Sequence, residues 1–146
     1  GQPIYRIVPR AVWSAKTGKK FFLDGGGSSV RNFIDIRDAA KAVELIAENG
    51  ELGKTYHISG MQGISIYDLV LRIADEFCLS INDICDIGPE RLGKDNSYLL
   101  DSSFLSETLS WKEDFSLDKS VKGVRVWIEK NFSILRKFPL EYVHRP

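Results

Sequence analysis

Two arginines have the chemistry to hold a ligand. Arg31 closes the run Gly25-Gly26-Gly27-Ser28-Ser29-Val30, and Arg91 sits in the turn-rich stretch Pro89-Glu90-Arg91-Leu92-Gly93. A guanidinium is a planar, permanently charged fork that matches a pair of phosphate oxygens. Two such groups arriving from different loops could grip a diphosphate. An arginine at a loop-to-strand junction is also ordinarily a solvated residue, and spacing alone does not make these two converge. Other chemistries find less support. His57 falls inside a strand-like stretch and His144 in the tail, neither with a Ser or Cys partner at a recognisable triad spacing. Cys78 and Cys85 have no metal-ligand spacing and no histidine nearby, so they read as reduced cytosolic thiols. Glu113 and Asp114 read as a solvated turn before a helix. Gly25-Gly26-Gly27 is followed neither by Gly-Lys-Ser/Thr nor by a helix, and no G-x-G-x-x-G opens a helix anywhere, so the dinucleotide fingerprint is missing. The triple glycine reads as a turn between strands.

These residues need a scaffold, and 146 residues with 43% apolar content suffice for one ordinary domain with its own core. Twenty basic and twenty acidic residues balance, against the basic excess expected of a nucleic-acid binder. No apolar run approaches the roughly 20 residues that span a bilayer, and no signal peptide is visible. The expectation is a cytoplasmic protein with neither nucleic acid nor membrane as partner. The chain opens Gly1-Gln2-Pro3 without an initiator methionine, which predicts a piece of a longer protein.

The elements follow from local signals. Pro9 near a helix start and Gly18 at its end bracket a helix through Thr17. Phe21-Leu23 and the alternating Asn32-Ile36 predict strands, and Asp38 is placed to cap a helix carrying Ala39, Ala40, Val43, Ile46 and Ala47, stopped by Asn49-Gly50. Thr55-Ser59 predicts a third strand. Ser65 and Asp68 form a capping box for a helix whose buried stripe is Leu69, Val70, Ile73, Ala74 and Phe77. Ile84-Ile87 predicts a strand, Tyr98-Leu100 a short extended piece, and Asp101 or Ser102 a cap for a helix through Leu109. A last helix runs from Leu117 to Asn131, with Val121, Val124, Trp127 and Ile128 on one face. Short strands interleaved with helices predict a mixed α/β, α+β-like lobe without a doubly wound nucleotide-binding sheet, spanning 1–132, with a tail over 133–146.

Several segments resemble, in order, the substrate-binding region of extended short-chain dehydrogenase/reductases, the NAD-dependent nucleotide-sugar epimerases and dehydratases. Ile7-Val8-Pro9, Gly18-Lys19-Lys20 and Gly25 through Ala40 resemble a proline-started helix, a G-K-x strand, a glycine turn and an R-D/N/S-F/W-I/L-x-V/I-x-D segment. Gly53-Ser59 resembles the G-E-x-Y-N-I/L-G/S strand, and Ile64-Leu69 the capped helix after it. Arg91 through Asp101 resembles R-P-G-x-D-x-x-Y-x-x-D, and Leu109-Lys112 with the last helix resembles the L-G-W-x-P closing signature. The likeness reaches about Asn131. Gly1-Gln2 resembles the end of a Y-G-P-x-Q segment that leaves the cofactor domain.

The resemblance implies binding of a nucleoside-diphosphate sugar. It assigns the diphosphate to Arg31 and Arg91, with Arg6 as a further basic contact. It places Phe22 and Asp24 along the base pocket, Gln62 near the base, and Lys94 at the ribose or phosphates. Leu92, His57 and Ser110 depart from the usual proline, asparagine and glycine, and Asp24 stands where an aromatic is common. The implied parent is a lyase or isomerase of polysaccharide biosynthesis that oxidises the sugar C4 hydroxyl with NAD, with a Y-x-x-x-K pair assisting. That pair and the NAD site are expected in an N-terminal Rossmann domain outside this chain, which is therefore expected to be inactive alone. The full-length protein is expected to be a homodimer. The alternative is a stand-alone nucleotide-sugar-binding module without catalysis.

Overall fold

The computed structural model describes residues 3–90, Gly93 and 95–141. Within them the chain divides into two compact units rather than one. The first gathers 1–28, 65–94 and 121–146, and the second 29–64 and 95–120.

In the first unit, helix α1 (Ile7–Thr17) ends at Gly18, whose left-handed φ of 70° lets its N–H donate to Ser14 O at 2.8 Å. Pro9 stands in the first turn, where a missing N–H costs nothing. Helix α3 (Ile66–Glu76) starts at Ser65, whose hydroxyl accepts from Asp68 N at 3.0 Å, so the expected capping residue is in place. It buries Leu69, Val70, Ile73 and Ala74 and packs against α1, which contributes Ala11 and Val12. A short helix missed in the sequence, α4 (Ile81–Ile84), has its own box of Ser80 and Asp83. Buried Ser14 joins α1 to it, with its hydroxyl 2.6 Å from Ile84 O and also against Lys19 O. Strand β1 (Phe21–Asp24) pairs in parallel with β4 (Cys85–Gly88), Phe22 opposite Asp86 and Asp24 opposite Gly88. Helix α6 (Leu117–Leu135) continues four residues past the expected end, because Leu135 is still buried. Its first-unit part stacks Phe132 on Trp13 with centroids 4.7 Å apart and anchors Arg125, which donates to Glu76 O at 2.8 Å.

In the second unit, β2 (Val30–Asn32) is the middle strand between β3 (Gly63–Ser65) and β5 (Ser97–Tyr98). Helix α2 (Ile36–Asn49) begins three residues earlier than Asp38 would have it. Its cap is Asp35, which accepts from Arg37 N at 3.0 Å and so ends the extended stretch that the alternation carried to Ile36. Asp38 is buried instead. Its carboxylate accepts the N–H groups of Asp114 at 3.1 Å and Phe115 at 3.0 Å, and its carbonyl accepts Trp111 Nε1 at 3.2 Å. The core is Ala42, Leu105 of α5 (Ser103–Leu109) and Trp111, flanked by Ile34, Leu45, Ile46, Tyr56, Ile58 and Leu109. Ala40, Val43 and Ala47 of the expected stripe are exposed, since the earlier start and the burial of Asp38 and Ala42 turn the opposite side inward. Thr55–Ser59, expected as a strand, joins no ladder. A strand requires a partner, and none of the described residues supplies one.

Candidate functional site

The glycine turn is a chemical necessity. Gly25, Gly26 and Gly27 have φ of 56°, 64° and 75°, a run of left-handed residues that side chains resist. A Cβ on Gly27 would lie 2.7 Å from Tyr67 N, and a side chain on Gly25 would run into the Glu90 carboxylate. The turn brings β1 to its end beside β4 in the first unit and delivers the chain to β2 in the second.

On the outward face of β1, Phe22 is 67% exposed and Asp24 follows it two residues on, the spacing that keeps both on one side of a strand. The ladder puts Asp86 and Gly88 beside them. Gly88 leaves room for the ring, since a Cβ there would lie 3.1 Å from Phe22 Cβ. Lys20 Nζ meets Asp86 Oδ1 at 3.1 Å at one end of this face. Arg6 is the exposed cap residue of α1, its guanidinium 5.7 Å from the Tyr5 ring centroid. Arg91 and Lys94 lie outside the described residues.

Arg31 lies on β2 in the second unit, half-buried. It donates from one guanidinium nitrogen to Val30 O at 2.7 Å and from the other to Asp95 O at 2.7 Å. Among the described residues two of its five N–H donors thus fix the fork, and three are left for other acceptors. Gln62 is exposed in the bend that leads into β3, the strand next to β2. Sequence reasoning did not single out Tyr98, the register partner of Arg31 and 61% exposed. Partners in a parallel ladder point to one side of the sheet, so Tyr98 stands beside Arg31. Its signal was its place in the Arg91–Asp101 motif. Asp101 of the same motif is structural: it accepts Ser103 N at 2.8 Å at the start of α5, and that bond lowers its proton affinity.

The strongest electrostatic feature lies at the start of α2. Arg37 clamps Asp35 with two bonds of 2.8 Å, Ser120 Oγ donates to the same carboxylate at 2.7 Å, and the guanidinium lies 3.5 Å from the Phe115 ring centroid. The Arg37 bonds hold Asp35 far below the ordinary carboxylate range although burial opposes them. The Asp35 carboxylate is taken up by Arg37 and Ser120 and caps α2, so the cluster is a structural clamp. Cys85 is buried and its thiol is raised by desolvation, while Cys78 is exposed, and the two form no disulfide. Among the described residues no group of three or more His, Cys, Asp or Glu could hold a metal, and no helix is long and apolar enough to cross a membrane.

Residues 2–59 match the NAD dependent epimerase/dehydratase family. A dTDP-glucose 4,6-dehydratase of Mycobacterium tuberculosis is 30% identical over 113 residues, 75% of this chain and 33% of that protein. The Salmonella typhimurium enzyme of the same name is 24% identical over 132 residues, 86% of this chain and 37% of its own length. The chain therefore spans about a third of the curated relatives it matches. Among solved structures, the NAD complex of dTDP-glucose 4,6-dehydratase from Bacillus anthracis shares the fold with a TM-score of 0.86 and 22% identity, covering 93% of this chain and 43% of that one. WbmF of Bordetella bronchiseptica, solved with NAD+ and UDP, follows at 0.76 and 24%, covering 94% and 41%. Ordered motifs, relatives and a shared fold agree in their likeness to the NAD dependent epimerase/dehydratase family, whose model matches residues 2–59.

Proposed function

We propose that this chain is the substrate-gripping part of an NAD-dependent nucleotide-sugar 4,6-dehydratase or epimerase. The observation that carries the reading is the anchoring of Arg31 to the Val30 and Asp95 carbonyls. A guanidinium fixed before the ligand arrives loses little freedom on binding, and its remaining donors serve diphosphate oxygens. Arg91 is the second fork and Arg6 the third cation. Phe22 offers the nucleobase a flat apolar surface, with Asp24 beside it. Gln62 and Lys94 complete the polar contacts.

The residues present do not fit a dinucleotide. The only glycine run leads into β2 rather than a helix N-terminus, and no G-x-G-x-x-G occurs. NAD belongs in this reading to a separate portion of the protein, together with the hydride chemistry, and this chain supplies binding and orientation. Calorimetric titration with UDP, TDP and inorganic pyrophosphate tests the grip. Diphosphates are expected to bind and the corresponding monophosphates to bind at least tenfold more weakly. Arg31→Ala is expected to cost at least tenfold, as for a lost charge-assisted contact. Diphosphate binding unaffected by that change would refute the assignment.

A further inference from the structure

The charges of this chain balance in total but not in place. Between Lys122 and Lys137, which takes in most of α6 and the turn after it, five basic residues stand against one acidic residue. That residue, Glu129, is taken up by Arg125, whose Nε donates to it at 3.1 Å. Val121, Ile128 and Leu135 are buried and Phe132 stacks on Trp13, so one side of this part of the helix is held against the core of the first unit. The other side is open.

Lys122, Val126, Lys130 and Ile134 follow one another at intervals of four residues on that open side, the spacing that keeps them on one face. Lys137 and Phe138 carry the line into the turn beyond. Val126 is 46%, Ile134 58% and Phe138 56% exposed. Lys122 meets Glu76 only loosely, at 3.8 Å, with 64% of its side chain in solvent, and Lys130 and Lys137 are exposed. At about 1.5 Å per residue, lysines with single apolar side chains set between them line roughly 20 Å of helix.

We propose that this face of α6 is a docking surface for an anionic lipid bilayer, along which the helix lies lengthwise. Lysine stems let the ammonium groups reach headgroup phosphates while Val126, Ile134 and Phe138 enter the headgroup boundary. An acidic protein is the poorer occupant. Interfaces between proteins are depleted in lysine and close over an apolar core, whereas here lysines separate the apolar residues. A lysine is also a point charge without the fork that fixes a direction, which suits fluid headgroups better than one set of carboxylates. No helix of the described residues is long and apolar enough to cross a membrane, but lying on its surface requires no such helix. The face uses none of the residues assigned to the diphosphate, so it is independent of the grip.

Vesicle flotation with the 146-residue chain tests the assignment. The vesicles are phosphatidylcholine alone, or phosphatidylcholine with about 30% phosphatidylglycerol to give a negative surface potential. At about 0.1 M salt, partitioning onto the anionic vesicles is expected to be at least tenfold stronger than onto the neutral ones. It is expected to collapse at about 1 M salt, where charges are screened beyond roughly 3 Å. Lys130→Glu and Lys137→Glu are each expected to lower it by about fivefold or more. Ile134→Ser is expected to lower it about threefold without changing its salt dependence, as for lost apolar burial. Lys112→Glu, at an exposed lysine of the second unit, makes the same change in net charge and is expected to leave partitioning unchanged. Melting temperatures at the wild-type value are expected for all four variants, since every one of these positions is exposed. Equal partitioning onto both vesicles, partitioning onto neither, or an equal loss in Lys112→Glu overturns the assignment. So does tighter binding to a DNA duplex or to polyglutamate than to the anionic vesicles at the same salt, which would make the face a site for another polyanion.

Discussion

At the start of α2 a carboxylate caps a helix while a guanidinium holds it, and that arrangement makes Asp35 a source of pH-dependent stability. Its folded-state proton affinity lies far below the unfolded value of about 3.9, chiefly through the Arg37 bonds. Stability from this group is therefore complete above about pH 4 and is lost as pH falls toward the folded value. Asp35→Asn keeps the shape but gives up the charge, and is expected to cost about 2 kcal/mol at pH 7. Urea unfolding at pH 7 and pH 3 should show the gap between wild type and variant shrinking at the lower pH. A constant gap would mean that the charge contributes nothing. Gly27 provides a second residue-scale test. Alanine there meets Tyr67 N at 2.7 Å in a left-handed conformation, whereas at Gly26 the nearest atom is 4.0 Å away. Gly27→Ala should cost at least 2 kcal/mol on the scale of such strain, and Gly26→Ala about 1. Melting curves of the pair compare the clash with the conformation alone. Arg31 was legible as a candidate because charge type and turn context are local properties. Asp35 was not, because Asp38 offers the same residue type nearer the apolar stripe, and only the fold reveals that Asp38 is spent on the Asp114 and Phe115 amides.

Among the elements, those that close on themselves were readable. The α3 cap was found because Ser65 and Asp68 lie three residues apart and meet within one turn. Removing it tests how much of that helix depends on its first turn: Ser65→Ala should cost about 1 kcal/mol, measured by chemical denaturation. No change would mean that packing against α1 alone holds α3 in place. The strands divided by partner. β1 and β4 were both foreseen, and each has the other, more than sixty residues away, as its ladder. Thr55–Ser59 has equal alternation and no such partner among the described residues. Local pattern gives the tendency to be extended, while hydrogen-bonded pairing is a property of two segments. The α2 stripe failed for a related reason. Periodicity shows that apolar residues share a face, and it does not say which of two apolar faces turns inward.

For the whole molecule, the interleaved division into two units has no local signature, because each is assembled from distant stretches of sequence. The two units also divide the candidate contacts, with Arg6, Phe22 and Asp24 on one and Arg31 and Gln62 on the other. Binding surface of this kind lowers the free energy of a bound ground state. It does not by itself lower a barrier unless a reacting group is stabilised more in the transition state. The sequence contains no Y-x-x-x-K and no glycine fingerprint, and the proposed function accordingly leaves the proton acceptor and the hydride acceptor to another portion of the protein. Supplying NAD in solution leaves a bimolecular hydride transfer without the positioning that accounts for about 7–11 kcal/mol in well-oriented systems. The expected outcome for the purified chain with NAD and dTDP-glucose is therefore binding without turnover. The sugar resonances followed by proton NMR over a day should keep an intact C4 hydroxyl carbon and gain no keto product. A keto sugar formed by the chain alone, and lost in Arg31→Ala, would overturn this division of labour, since it would place reacting groups as well as grip within these 146 residues.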